Sequence, residues 1–151
     1  MEPEPPPIHI FVYGTLRRSE ALPMHQLLLP ATFVGVGSFA GRLYDVGAYP
    51  AAVRSDDPAE RVHGEVYRLH EPATTLARLD TYEGCTDDDP VPHEYVRTTL
   101  DVQTAVGSKI SALVYLYNHP TTSLTRVPGG DYLRWIARGR TAESNRANNY
   151  I

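Results

Sequence analysis

The chain has a single cysteine, Cys85, and a single lysine, Lys109, among its 151 residues. One cysteine excludes an internal disulfide and any zinc site built from several thiolates. No segment approaches the ~18 consecutive apolar residues of a membrane span, so no membrane association is expected. The six histidines (His9, His25, His63, His70, His93 and His119) show no i, i+4 pair and no metal-ligand spacing. No histidine metal site is therefore expected. A P-loop, a Gly-x-Gly-x-x-Gly turn and a Gly-x-Ser-x-Gly elbow are all missing. So is a basic excess: 14 Lys and Arg stand against 18 Asp and Glu, a net charge of −4. That is the reverse of a nucleic-acid-binding footprint.

What remains is ordinary globular material. Hydrophobic residues make up 42% and charged residues 21% of the chain, and the length suits one domain with a real core. Met1 to Pro7 is acidic and proline-rich, an extended lead-in rather than a signal peptide. A cytoplasmic protein follows as the expectation. Residues 8–138 read as the domain, and 139–151 as a polar tail.

The first ordered stretch is Ile8-His9-Ile10-Phe11-Val12, a β-branched and aromatic run that stops at Tyr13-Gly14-Thr15-Leu16. A strand that ends in Gly-Thr leaves backbone N–H groups free to face a ligand. Ser19-Glu20 can cap a short helix from Ala21 to Leu29, ended by Pro30. Phe33–Ser38 and Gly41–Val46 read as two strands, followed by a tight connection through Tyr49-Pro50 and a short strand at Val53. Val62–Leu69 is a further strand, with Gly64 allowing close backbone approach. Pro72 opens a helix over Ala73–Glu83 that Gly84 closes. Two strands, His93–Thr104 and Ile110–Asn118, turn at Gly107-Ser108, and Asp131 caps a last helix over Tyr132–Arg138. Short strands outnumbering two or three helices suggest an α+β domain, with a sheet left open or closed into a small barrel.

One residue breaks its own pattern. At about 100° per residue, Leu76, Leu79 and Glu83 share a ~60° arc, so a glutamate sits on the stripe that faces the core. It also lies in the last helical turn, where the macrodipole disfavours negative charge. Both effects raise a carboxyl pKa towards the range of a general base or acid. The alternative is a rim position paired with an arginine, and Asp80, on the same side, can pair with Glu83 or orient it. Cys85 has no basic neighbour in sequence and reads as a small buried residue rather than a nucleophile. Asp87-Asp88-Asp89 lacks the spacing of a calcium loop and reads as a solvated turn. Ten tyrosines against three phenylalanines suit a pocket lined by rings with hydroxyl handles, Tyr13, Tyr49 and Tyr95 among them.

These segments, in order, resemble the gamma-glutamylcyclotransferase-like family, including its gamma-glutamylamine cyclotransferase and AIG2-like branches. The resemblance is carried by Phe11-Val12-Tyr13-Gly14-Thr15-Leu16-Arg17, Leu43-Tyr44-Asp45-Val46-Gly47-Ala48-Tyr49-Pro50-Ala51 and Gly64-Glu65-Val66-Tyr67. It continues through Leu79-Asp80-Thr81-Tyr82-Glu83-Gly84, Tyr95-Val96-Arg97, Ala112-Leu113-Val114-Tyr115 and Gly130-Asp131-Tyr132. It implies a small mixed barrel with flanking helices and a pocket at one end. It also implies a site in which Tyr13, Gly14, Thr15 and Leu16 hold a γ-glutamyl group, Tyr49 and Tyr95 contribute to binding, and Glu83 is the acid/base. The reaction implied converts a γ-glutamyl amide into 5-oxoproline and a free amine without a cofactor. A non-catalytic binding module for a γ-glutamyl or related small molecule is the alternative. The only partner expected is that small molecule, on a monomer or weak homodimer.

Overall fold

The computed structural model describes residues 6–14, 23–47 and 49–139. Its centre is a sheet closed on itself. Strands β1 (Ile8–Val12), β2 (Ala31–Asp45), β3 (Pro50–Arg54), β4 (Arg61–Leu69), β5 (Tyr95–Thr104), β6 (Lys109–Tyr117) and β7 (Thr125–Arg126) are joined by helix α1 (Pro72–Glu83), and helix α2 (Tyr132–Ala137) follows β7. The order β2-β4-β1-β6-β5 closes where Gly37 and Ser38 of β2 pair with Thr104 and Gln103 of β5. The barrel is mixed, since β1 runs parallel to β6, with Ile10 opposite Leu113, and antiparallel to β4. Strands β3 and β7 extend the far half of β2.

The sequence reading divided β2 at its small residues, whereas the structure runs it unbroken through 15 residues. At about 3.3 Å per residue, a straight strand of that length would reach some 50 Å, so it must coil around the barrel. Its glycines serve the crowding rather than a break. A Cβ on Gly37 would lie 2.8 Å from the Gln103 carbonyl oxygen, and one on Gly41 would lie 2.5 Å from that of Val53. The helix expected over Ala21–Leu29 is, in its described part, a 3-10 turn at Pro23–Leu28. Two bracketing prolines and clustered rather than periodic apolar residues do not sustain an α-helix. Its expected cap, Ser19-Glu20, lies outside the described residues. Strand β5 begins at Tyr95 rather than His93, and the two-residue β7 had no signal of its own.

Alternation along the strands sorts the apolar residues into two clusters. Phe11, Phe39, Leu43, Val62, Val66, Val102, Ala112, Val114 and Leu116 pack together with Tyr132 of α2, which is fully buried. The opposite faces of β1, β4 and β6 present Ile10, Val12, Tyr67, Leu69 and Tyr115 to Leu79 of α1 and Leu28 of the 3-10 turn. Helix α1 therefore lies against the outside of the barrel. Gly84, at φ 72°, closes it: the Gly84 N–H bonds the Thr81 carbonyl and the Cys85 N–H bonds that of Asp80, a Schellman closure. At the start of α2, the Asp131 side chain accepts from the Arg134 N–H at 3.1 Å, the expected cap. No described helix is long and apolar enough to cross a membrane.

Candidate active site

Antiparallel β5 and β6, with β1 parallel to β6, bring the end of β1, the start of β5 and the end of β6 to one rim. The start of β3 and the last turn of α1 reach the same place. There they enclose a cavity of about 170 Å³, lined by Phe11, Val12, Tyr13, Gly14, Tyr49, Pro50, Tyr82, Glu83, Glu94, Tyr95 and Tyr115. A cavity of ~150 Å³ holds a benzene-sized molecule, so this one takes a small organic group. Five of the residues singled out in the sequence line it: Glu83, Tyr13, Gly14, Tyr49 and Tyr95. Thr15 and Leu16 lie outside the described residues.

Gly14 is there because nothing larger fits. A Cβ at this position would come within 2.7 Å of the Pro50 ring, so the turn after β1 can sit against the start of β3 only with glycine. Tyr13 is held just before it. Its ring is buried, and its hydroxyl donates to the Tyr115 carbonyl oxygen at 2.6 Å. Tyr95 is fixed the same way, its hydroxyl donating to the Pro50 carbonyl. Burial, followed by nearby charge, raises both phenols well above their ordinary range. They stay neutral and act as walls and donors rather than bases. Tyr49 packs its ring against Tyr95, centroids 6.1 Å apart, and donates its hydroxyl to Glu94.

Glu83 is half-buried at the C-terminal turn of α1, over the cavity. Burial pushes its carboxyl up to about 8, with the negative charge of Glu94 adding to the effect. No basic residue occupies the last turn of the helix, and no ion pair joins Glu83 to an arginine among the described residues. Asp80 does not orient it. That carboxylate turns to the barrel, where Arg97 Nη1 reaches its two oxygens at 3.1 and 3.0 Å and the Tyr115 hydroxyl donates at 2.6 Å. The Cys85 thiol lies 3.7 Å from Asp80. Burial and that carboxylate push it up to about 11, so it is no thiolate at neutral pH. Among the described residues no cluster of His, Cys, Asp and Glu could hold a metal.

Glu94 escaped the sequence reading. The expected strand His93–Thr104 contains it as one more polar position, the structure puts it just before β5, and nothing in its spacing connects it to Glu83. Only its place beside Tyr95 hinted at the pocket.

A closed small barrel with a ring-lined cavity at one end, and a carboxyl in it that no described cation pairs, has the architecture of a small-molecule pocket. The chain belongs to the gamma-glutamyl cyclotransferase, AIG2-like family, which matches residues 10–134. It is 38% identical over 131 residues to a Vibrio cholerae protein provisionally named gamma-glutamylcyclotransferase, covering 84% of this chain and 96% of the relative. It is 33% identical over 105 residues to the gamma-glutamylaminecyclotransferase of Rattus norvegicus, covering 63% of each. The crystal structure of an AIG2-like protein from Mus musculus superposes with a TM-score of 0.61 at 30% identity, covering 80% of this chain and 86% of that one.

Proposed function

We propose that this protein is a γ-glutamyl cyclotransferase that releases 5-oxoproline and an amine from a γ-glutamyl amide, with Glu83 as general base and then general acid. The observation that carries the reading is Glu83 itself: a carboxyl raised to about 8 by burial and a like charge, lining the ring-walled cavity with no ion pair among the described residues. An α-amino group is largely protonated near neutral pH, so its attack requires a base. The ionised form of Glu83, populated as pH approaches about 8, accepts the α-ammonium proton. The α-nitrogen forms a bond to the γ-glutamyl carbonyl carbon, closing a five-membered ring. Collapse of the tetrahedral intermediate breaks the original amide C–N bond, and Glu83 returns the proton to the departing nitrogen. No water enters the balance.

Because attack is intramolecular, the protein gains most by holding the folded conformer. The rigid walls supply that hold. Tyr13, Tyr95 and Pro50 are tied to one another or to neighbouring backbone through the hydroxyl bonds described above. Backbone N–H groups from Gly14 through Leu16 are assigned to the substrate carboxylate or the oxyanion, an assignment that extends beyond the described residues after Gly14. Neither a metal nor an organic cofactor takes part in this scheme. The small-molecule substrate is the proposed partner of a cytoplasmic monomer or weak homodimer, with no role for nucleic acid or membrane.

The test is an assay of 5-oxoproline from a panel of γ-glutamyl amino acids and γ-glutamyl amines, run with the protein and with Glu83→Gln. Activity unchanged in Glu83→Gln would overturn the mechanism. Tight binding of a panel compound without product would make the protein a binding module instead. Formation of a new amide with an added acceptor amine would make it a transferase.

A further inference from the structure

Helix α2 contributes no described wall to the cavity, yet one of its side chains holds the turn that does. Trp135 Nε1–H donates to Asp45 Oδ2 at 2.8 Å, across 90 residues of sequence. Asp45 is the last residue of β2 and is buried. Its other oxygen, Oδ1, accepts the Gly47 N–H at 2.8 Å, and the Val46 N–H donates to the Tyr49 carbonyl at 2.9 Å. The connection from β2 to β3 is thus tied to one carboxylate, and that carboxylate is tied to α2.

Both residues that leave this turn are cavity walls. Tyr49 stands against the Tyr95 ring and donates to Glu94. The Pro50 carbonyl accepts the Tyr95 hydroxyl, and the Pro50 ring leaves no room for a side chain at Gly14. Glu83 and Gly14 reach the same rim from other elements, α1 and β1, so a shift of the turn moves two walls relative to the rest of the site. Trp135 is itself anchored. Its ring packs against the cluster that holds the fully buried Tyr132, and Asp131 caps its helix. Removing the indole N–H takes a donor from a buried carboxylate, which must then rearrange or go short of a hydrogen bond.

Resting on the cyclotransferase reading above, we propose that Trp135 is a positioning residue for substrate binding: through Asp45 it sets the turn that places Tyr49 and Pro50 against the substrate. The two side chains act as one unit, with α2 as the fixed end and the cavity wall as the end that is aimed.

Two variants test this from opposite ends of the contact. Trp135→Phe keeps a ring in the core and removes the donor. Asp45→Asn keeps the volume and leaves one of the two N–H donors without its acceptor. In each, KM for a γ-glutamyl amide rises about five- to tenfold while kcat stays within about twofold, because the walls move and Glu83 does not. The double variant is no worse than the more affected single one, since both act through one bond. Amide hydrogen exchange followed by NMR reads the tether without activity. Protection at Val46 and Gly47 falls about tenfold in Trp135→Phe, while that at Gly84 and Cys85, at the end of α1, is unchanged. A KM unchanged in either single variant overturns the proposal. So does additivity in the double variant, a fall in kcat as large as the rise in KM, or a loss of protection shared by all four amides, which would make the contact general scaffolding. If no γ-glutamyl compound yields 5-oxoproline with the unmodified protein, the cyclotransferase reading fails, and exchange decides the tether by itself. Loss confined to Val46 and Gly47 upholds it, and uniform or absent loss overturns it.

Discussion

Two glutamates in this small domain are treated in opposite ways. Glu60, in the connection from β3 to β4, is gathered by three donors: the Ser55 hydroxyl, Arg42 Nε at 3.0 Å and Arg126 Nη2 at 2.8 Å. Its carboxyl is held down at about 2 by those hydrogen bonds, Ser55 first. Glu83, over the cavity, receives no such company among the described residues, and its carboxyl rises to about 8. The arginines that neutralise Glu60 tie it to β2 and β7, joining a loop to the barrel. A carboxylate satisfied in that way has its proton affinity spent on structure. One left unpaired beside a second negative charge keeps a proton affinity that chemistry can use. Asp80, one turn before Glu83 on the same helix, belongs with Glu60: Arg97 and Tyr115 occupy it.

The contrast breaks most severely at Glu83. Glu83→Gln preserves shape and removes the proton acceptor, so kcat for 5-oxoproline formation falls by about 10²–10⁴ with little change in KM. Steady-state kinetics on a γ-glutamyl substrate measures this, and a KM effect alone would make Glu83 a binding group. The next largest effect belongs to Asp80. Asp80→Asn removes the charge that meets Arg97 while keeping the volume. It loosens the last turn of α1 against β5 and β6 and costs about 1–2 kcal/mol in urea unfolding, since both partners are partly exposed. Activity falls about tenfold through kcat, because the helix end that carries Glu83 is less firmly held.

The core of the barrel was legible from periodicity alone. Val62-to-Leu69 alternation, the helix ending at Glu83-Gly84 and the Asp131 cap all follow from local rules, and the structure contains each of them. Glu83 was legible for a related reason: a charge on an apolar stripe violates a pattern that the residues around it establish. Glu94 violates nothing local, so its place opposite Glu83 appears only when β5 and α1 meet at the rim. The same holds for Asp80. Its proximity to Glu83 on the helix suggested a partnership, but Arg97 and Tyr115 lie across the tertiary interface and outcompete a like charge. The unbroken β2 was missed because Gly37 and Gly41 look like breaks in sequence. They are contact points in a coiled barrel, where a neighbouring carbonyl takes the room of a side chain.

Stability against pH sharpens the comparison from the other direction. Glu83 is raised in the folded state above its ordinary carboxyl value, so the native protein holds that proton more tightly than the unfolded chain. Its contribution is fully present below about pH 4.5 and is lost as pH rises through about 8. The protein therefore loses stability relative to Glu83→Gln between pH 6 and pH 9, by roughly 2 kcal/mol after screening by water in the cavity. Paired urea melts at the two pH values measure the difference. Glu94→Gln removes one of the two causes of the shift and brings the midpoint of the loss to lower pH. Tyr13, Tyr49 and Tyr95 face the same cavity as neutral phenols across this range, and Cys85, at about 11, also stays protonated. None of them obscures the transition.

The smallest effect is expected at Glu60, and it carries the opposite sign. Its carboxyl is depressed below the ordinary value, so whatever it contributes is present above about pH 4.5 and fades as pH falls towards about 2. The latch lies at the surface, with both arginine side chains 47% exposed, where water and salt screen the pairs. Glu60→Gln consequently lowers Tm only slightly at neutral pH, and the difference shrinks both in high salt and at low pH. Its kcat/KM for γ-glutamyl amides matches that of the unmodified protein, because Arg42 and Arg126 hold a loop that contributes no wall to the cavity. A Glu60 variant with reduced activity and unchanged Tm would erase the division between the two glutamates, since it would place the latch in the functional site.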